Sequence, residues 1–207
     1  MKIRPALAVA GSVFLFSASG FAAHASTQAA SDSSLPATGT AVSLTEDGDM
    51  VLECNGVLHR FEVLGTGQVR VGARVAGDQP TVAVRTEAEQ LTGYDADLGT
   101  VTVSEKTPAD GDFVAPAVGR EFPAAESLAQ DLTISMQHSP CGGGGGGEPA
   151  TFTNKAAFPL LNTNMTAFPP RNAVFLMTDP VELTDIANPS GPSIMLTEFP
   201  LTITQAA

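Results

Sequence analysis

Three pairs of aspartates are spaced so that both carboxylates of a pair can bind one metal ion. The pattern Asp-x-Asp occurs three times: Asp47/Asp49, Asp95/Asp97 and Asp110/Asp112. Calcium takes six to eight oxygen ligands, and acidic loops are a common source of them. Glycine separates the aspartates of the first and third pairs, so turn formation alone explains those two. The sequence therefore predicts a calcium site at Asp95 and Asp97, and no other cofactor.

Histidine is the second residue type with chemical potential, and His59 and His138 are the two candidates. The chain has no Gly-x-Ser-x-Gly elbow and no His-Glu-x-x-His helix, which are common hydrolase signatures. A catalytic triad can still assemble from distant positions. His59 falls on the apolar face of a predicted strand, where a packed histidine is the common outcome. We therefore assign no catalytic residue.

A soft-ligand group lies in the stretch SMQHSPC, which contains Met136, His138 and Cys141. Thioether, imidazole and thiolate ligands suit copper. The order of these residues is the reverse of that in cupredoxins. In a strand, Met136 and His138 share a face with Ile134, so we expect packing at this place.

The two cysteines, Cys54 and Cys141, are predicted to form a disulfide. An even count in an exported chain favours pairing, because disulfides persist in oxidising compartments. A free catalytic or metal-binding thiol is the alternative.

The N-terminus predicts export. Lys2 and Arg4 precede a mostly apolar run, and Ala23 and Ala25 form a small-x-small cleavage site. These are the parts of a secretory signal peptide, which we place at residues 1–25. A Ser/Ala/Thr-rich segment, residues 26–39, is predicted to be flexible. The mature protein is expected outside the cell, with the periplasm as the alternative, and without insertion into the membrane.

The stretch LPATG, residues 35–39, resembles the sorting signal through which sortases attach proteins to bacterial cell walls. That signal works near a C-terminus, before an apolar segment and a basic tail. Here it follows the signal peptide, and the chain ends in PLTITQAA. We therefore interpret it as part of the flexible segment.

The charge excludes one class of partner. The formal net charge is −12, and loss of Lys2 and Arg4 with the signal peptide makes it more negative by two. Phosphate backbones and anionic lipids bind clustered Lys and Arg. A nucleic-acid partner is therefore not expected.

Alternating polar and apolar residues dominate positions 40–104, with turn residues at short intervals. This period of two is typical of antiparallel strands with one buried face. After residue 107 the strand candidates shorten, and 12 of the 15 prolines lie there. We predict an all-β fold with little helix: an antiparallel two-sheet β-sandwich with long Pro/Gly-rich loops. One domain would span residues 40–205, with a boundary near residue 107 as the alternative.

Six consecutive glycines, residues 142–147, follow Cys141. Phosphate-binding loops also use glycine, but they need a Gly-Lys-Ser/Thr sequence that leads into a helix, which is missing here. We predict a flexible surface loop.

The favoured function is a secreted, non-enzymatic protein that acts by contact with an unidentified protein or cell-surface partner. The alternative is a small exported hydrolase or metal-dependent enzyme whose site comes from distant residues.

Overall fold

The computed structural model of this chain describes residues 35–141 and 147–207. The predicted signal peptide, residues 26–34 of the predicted flexible segment and residues 142–146 of the glycine run lie outside the described residues. All described residues fall in one compact unit.

Thirteen β-strands form the described part of the chain. Their bounds are β1 (Ala41–Cys54), β2 (Val57–Val75), β3 (Thr81–Asp95), β4 (Gly99–Glu105), β5 (Ala109–Val114), β6 (Ala124–Gln130), β7 (Leu132–Met136), β8 (Ala150–Asn154), β9 (Phe158–Met165), β10 (Ala173–Met177), β11 (Val181–Asp185), β12 (Ile194–Glu198) and β13 (Leu201–Gln205). Within these residues, no helix is long and apolar enough to cross a lipid bilayer.

The predicted all-β class is confirmed, and every strand pair is antiparallel. In β1, buried and exposed residues alternate strictly from Ala41 to Met50, as the period of two requires. Asn55 and Gly56 join β1 to β2 with φ angles of 52° and 81°. Positive φ at both positions is what a tight type I′ hairpin turn needs.

The sheet closes on itself twice. Strands β1, β2 and β3 continue through β5, β6, β9, β10 and β13 back to β1, a circuit that we call ring 1. The same three strands continue through β4, β7, β8, β11 and β12 back to β1, which we call ring 2. The two rings therefore share their three longest strands.

The two separate sheets of the predicted sandwich are not found, because all thirteen strands belong to one hydrogen-bonded sheet. Alternation along a strand shows that one face is buried. It does not show whether that face meets a second sheet or the inside of a closed one. Many connections are also short, so the prediction of long loops is not confirmed.

Apart from the β1/β2 and β3/β4 turns, five connections have only one to three residues, and these breaks separate β4/β5, β6/β7, β8/β9, β10/β11 and β12/β13. The breaks lie at the same height along the rings. At this height β1 changes partner between Gly48 and Val51, and β3 changes partner between Thr86 and Gln90. We call this level, where the two rings join, the waist. Pro108, Pro180 and Pro200 occupy three of the five breaks, because proline cannot donate to a sheet ladder.

Two glycine-containing stretches run straight through the waist as strand instead of turning. Residues 46–49 of β1 and residues 65–67 of β2 both lie within the regular β1–β2 register, in which Glu46 is opposite Gly65. Gly67 lets the Glu46 side chain pack against the backbone of β2, since a Cβ on Gly67 would overlap Oε1 of Glu46.

The interiors of both rings form one hydrophobic cluster. Its largest fully buried members include Phe113 and Phe175 in ring 1, Phe152 in ring 2 and Phe199 at the waist. Burial of about 25 cal/mol per Å² of apolar surface is the main favourable term in folding. The shared cluster therefore makes the two rings one folding unit.

The predicted disulfide is confirmed. Cys54 and Cys141 are bonded, with their Cα atoms 5.4 Å apart and a sequence separation of 87. The bond ties the end of β1 to the segment that follows β7. Such a bond is typical of an oxidising compartment.

Removal of this disulfide should destabilise the protein. A bridge across a loop of this length contributes about 4 to 5 kcal/mol in the chain-entropy model. We expect the double variant Cys54→Ala/Cys141→Ala to lose up to that amount of unfolding free energy, measured by urea denaturation. An unchanged unfolding midpoint would show that the bridge contributes nothing to stability.

Candidate functional site

The outer end of ring 2 carries two adjacent turns. One is the Asn55-Gly56 hairpin turn, and the other joins Asp95 of β3 to Gly99 of β4. Oδ1 of Asp95 accepts hydrogen bonds from the backbone N–H groups of Asp97 (2.8 Å) and Leu98 (3.0 Å). This side-chain-to-backbone pattern fixes both the turn and the Asp95 carboxylate.

The neighbouring strand places His59 against that carboxylate. His59 lies on the inner face of β2 and is only 6% exposed. Its Nδ1 is 3.6 Å from Oδ1 of Asp95, which is too long for a hydrogen bond. Its Nε2 is buried and has no hydrogen-bond partner in the described residues.

The structure thus brings together both predicted metal ligands, Asp95 and Asp97, and adds His59. One ligand atom from each residue lies within 4.8 Å of the other two. The Asp97 side chain is exposed and has no protein partner in the described part of the chain. Imidazole and carboxylate groups are metal ligands. We call these three residues the rim site.

The other two Asp-x-Asp pairs lie in regular strands and not in loops. Asp47 and Asp49 are exposed in β1, and Asp110 and Asp112 are exposed in β5. Neither pair belongs to a cluster of three potential metal ligands among the residues described.

The soft-ligand group does not assemble. The sulfur of Cys141 is in the disulfide, and Met136 is buried in the hydrophobic cluster. Nδ1 of His138 lies 3.0 Å from the backbone carbonyl of Gly147. These contacts hold the three residues within the folded structure, in line with the packing expected from the sequence.

A second cluster, which the sequence analysis missed, lies at the waist. Glu46 and Glu89 are buried on the inner face of the sheet, and Glu105 lies close to Glu89 at the end of β4. Oε2 of Glu46, both carboxylate oxygens of Glu89 and of Glu105, and Oε1 of Gln130 have no hydrogen-bond partner in the described residues. A pocket of about 680 Å³, lined in part by Gly67 and Glu89, opens at the same level.

Burial is the main cause of a raised pKa in each of these three glutamates. It raises the pKa of Glu46 to about 9, with further contributions from Glu89 and Glu105. It raises the pKa of Glu105 to about 8, again helped by Glu89. It raises the pKa of Glu89 to about 7, while the nearby Gln130 amide opposes the rise. Near pH 7 Glu46 and Glu105 are therefore largely protonated, and Glu89 is close to half-protonated.

A fourth buried glutamate, Glu126, lies deeper in ring 1. Burial alone raises its pKa to about 8. It shares the inner face of β6 with Leu128 and Gln130.

Fold and rim site together define an all-β protein, closed into two rings, with a candidate cation site at one end. No protein-family model matches the sequence, and no curated protein matches it significantly. Among solved structures, the chain is similar to DynF from the dynemicin biosynthesis pathway of Micromonospora chersina, with a TM-score of 0.66. The two chains are 19% identical, and the match covers 81% of each. At this identity the likeness shows a shared fold.

The free energy of unfolding should depend on pH because of the buried glutamates at the waist. A carboxyl group whose pKa is raised in the folded state stabilises the protein fully below its unfolded pKa, and this stabilisation is lost as the pH rises through the folded value. The unfolding free energy should therefore fall between pH 5 and pH 9, by on the order of 3 kcal/mol for Glu89 alone. Urea denaturation at pH 5, 7 and 9 measures this loss.

The variant Glu46→Gln keeps the side-chain shape but cannot ionise, so its stability should fall less between pH 5 and pH 9. The same substitution at the exposed Glu62 is the matched control and should leave the wild-type profile unchanged. Parallel profiles for Glu46→Gln and the wild type would show that the buried cluster does not cause the pH dependence.

Proposed function

We propose that this chain is an exported, non-enzymatic protein that binds a divalent cation at the rim site and acts by contact with a protein or cell surface. The observation that carries the proposal is the convergence of His59, Asp95 and Asp97. Two of these residues come from a short turn, and the third comes from the neighbouring strand.

Export is supported by two independent features. The N-terminal sequence has the three parts of a signal peptide, and the Cys54–Cys141 bond is of the kind that persists in oxidising compartments. The bond also anchors the segment beside the rim site, because the backbone N–H of His138 donates to the carbonyl of Leu98 in the Asp95–Gly99 turn.

Binding without catalysis is supported by the surroundings of the two histidines. His59 is buried next to the hydrophobic cluster, and His138 is half-buried against the backbone of Gly147. A general base needs access to the proton that it removes. Exposed Asp97 gives an ion a route to the rim site from solvent.

Cation binding should raise the melting temperature, since a ligand that binds only the folded state stabilises it by mass action. The exported protein is treated with EDTA, dialysed, and melted without metal, with millimolar calcium or with an equal concentration of another divalent ion. At a free ion concentration 100 times Kd, the free energy of unfolding rises by about 2.7 kcal/mol.

The variant Asp95→Asn/Asp97→Asn should lose this gain. Asparagine keeps an oxygen that can accept the two turn hydrogen bonds, so the Asp95–Gly99 turn is preserved. The matched control, Asp110→Asn/Asp112→Asn, removes an exposed pair of the same spacing in β5 and should respond like the wild type. If no divalent ion changes the melting temperature, the three residues are structural only.

The second candidate is a metal-dependent hydrolase. It is favoured by the number of ligands, because three protein ligands leave a coordination position open for water, as in catalytic metal sites. Hydrolysis of ester, phosphoester or peptide substrates by the metal-loaded protein, lost in Asp97→Asn, would replace the binding proposal by this one.

A further inference from the structure

We propose that the ion at the rim site is a divalent transition metal of the zinc class rather than calcium, with the imidazole of His59 as a ligand beside Asp95 and Asp97. This inference rests on the proposed cation site. The chemistry of the donor atoms identifies the class of metal. His59 becomes a ligand, although it lies outside the Asp-x-Asp pattern.

The donor set suits zinc better than calcium. Calcium is a hard ion that takes six to eight oxygen ligands. The rim site offers only two carboxylates, those of Asp95 and Asp97. Imidazole nitrogen, in contrast, is a common ligand of zinc, copper, iron and nickel. A four-coordinate ion needs only these three side chains and one water molecule.

The spacing of His59 and Asp95 also suits a small four-coordinate ion. Two ligand atoms about 2.0 Å from a tetrahedral centre lie about 3.3 Å apart. The 3.6 Å between Nδ1 of His59 and Oδ1 of Asp95 is near that value and longer than a hydrogen bond.

The imidazole has one nitrogen placed for a metal ion. Nδ1 of His59 lies 3.6 Å from Oδ1 of Asp95, beyond hydrogen-bond distance, and has no hydrogen bond in the described residues. Nε2 is buried on the other side of the ring, so Nδ1 is the nitrogen that would bind the ion. A metal-free contact between His59 and Asp95 is the competing explanation, and the experiment below distinguishes the two.

Asp97 is the ligand that can adjust most easily. It is exposed in a turn, whereas His59 is buried in a strand. The three ligand atoms lie within 4.8 Å of one another, and ligand atoms of a tetrahedral ion lie about 3.3 Å apart. Metal binding is therefore expected to adjust the Asp97 side chain rather than His59.

The test compares Zn²⁺ with Ca²⁺ by isothermal titration of the exported protein, purified without a polyhistidine tag and freed of metal. The variant His59→Gln removes the imidazole, and His138→Gln is the matched control at the other histidine. We expect His59→Gln to weaken Zn²⁺ binding at least tenfold, and His138→Gln to leave it unchanged. Melting curves of both variants without metal show that they are folded.

Co²⁺ gives a second readout that does not depend on affinity. As a spectroscopic substitute for zinc, it absorbs visible light strongly when it is four-coordinate with nitrogen and oxygen ligands. The Co²⁺-loaded wild type and His138→Gln should show this absorption, and His59→Gln should not.

The outcomes separate the two proposals. Calcium binding of equal strength in the wild type and His59→Gln, with no tighter Zn²⁺ binding, would overturn the zinc assignment and leave the cation site standing. Absence of binding for both ions would overturn the site itself and leave the His59–Asp95 contact as a structural one. Zn²⁺ binding that survives in His59→Gln would remove His59 from the ligand set and overturn the inference.

Discussion

Closure of a single hydrogen-bonded sheet around β1, β2 and β3 is the constraint on which the rest of the structure depends. A strand in a closed sheet has neighbours on both sides, so one face of every strand must turn inward. Hairpin ends that are far apart in the sequence then meet at a common rim. The rim site lies at the end of two of the shared strands, where the turn after β3 lies beside the first residues of β2 and places Asp95 against His59.

The waist contains buried polar groups that destabilise the fold. An apolar interior would be simpler, because a buried polar group without a partner costs about 1 to 3 kcal/mol. Glu46 and Glu89 nevertheless face inward, on either side of Gly67, which has no side chain to exclude them. Protonation removes the charge at modest cost near neutral pH. The join between the two rings is therefore a polar layer within a mostly apolar interior.

The local sequence pattern predicts most of the strands. It predicts fewer of the residues at the rim site and the waist. The period of two predicted strands and their buried faces, and Asn-Gly at positions 55 and 56 is a residue pair typical of a tight hairpin turn. Glu46 is in phase with the inward residues Val42 and Leu44, so it could have been found. Glu89 could not, because a register shift in the β2–β3 pairing changes the phase of β3 between Thr86 and Ala88. Ring closure was also beyond local pattern, as was the approach of His59 to Asp95, since both depend on which strands pair.

Closure also limits how this protein can be recognised. Each of the thirteen strands has a hydrogen-bonded neighbour on both sides within the described residues. An open sheet edge is where an extended peptide adds a strand, and it is also where sheets join to form aggregates. Within the described residues, the segment 57–62 of β2 pairs with β1 alone, so strand addition is restricted to short stretches near the rims. Most of the outer face of the sheet is left to side-chain contacts, in which charge and shape rather than backbone pairing carry specificity.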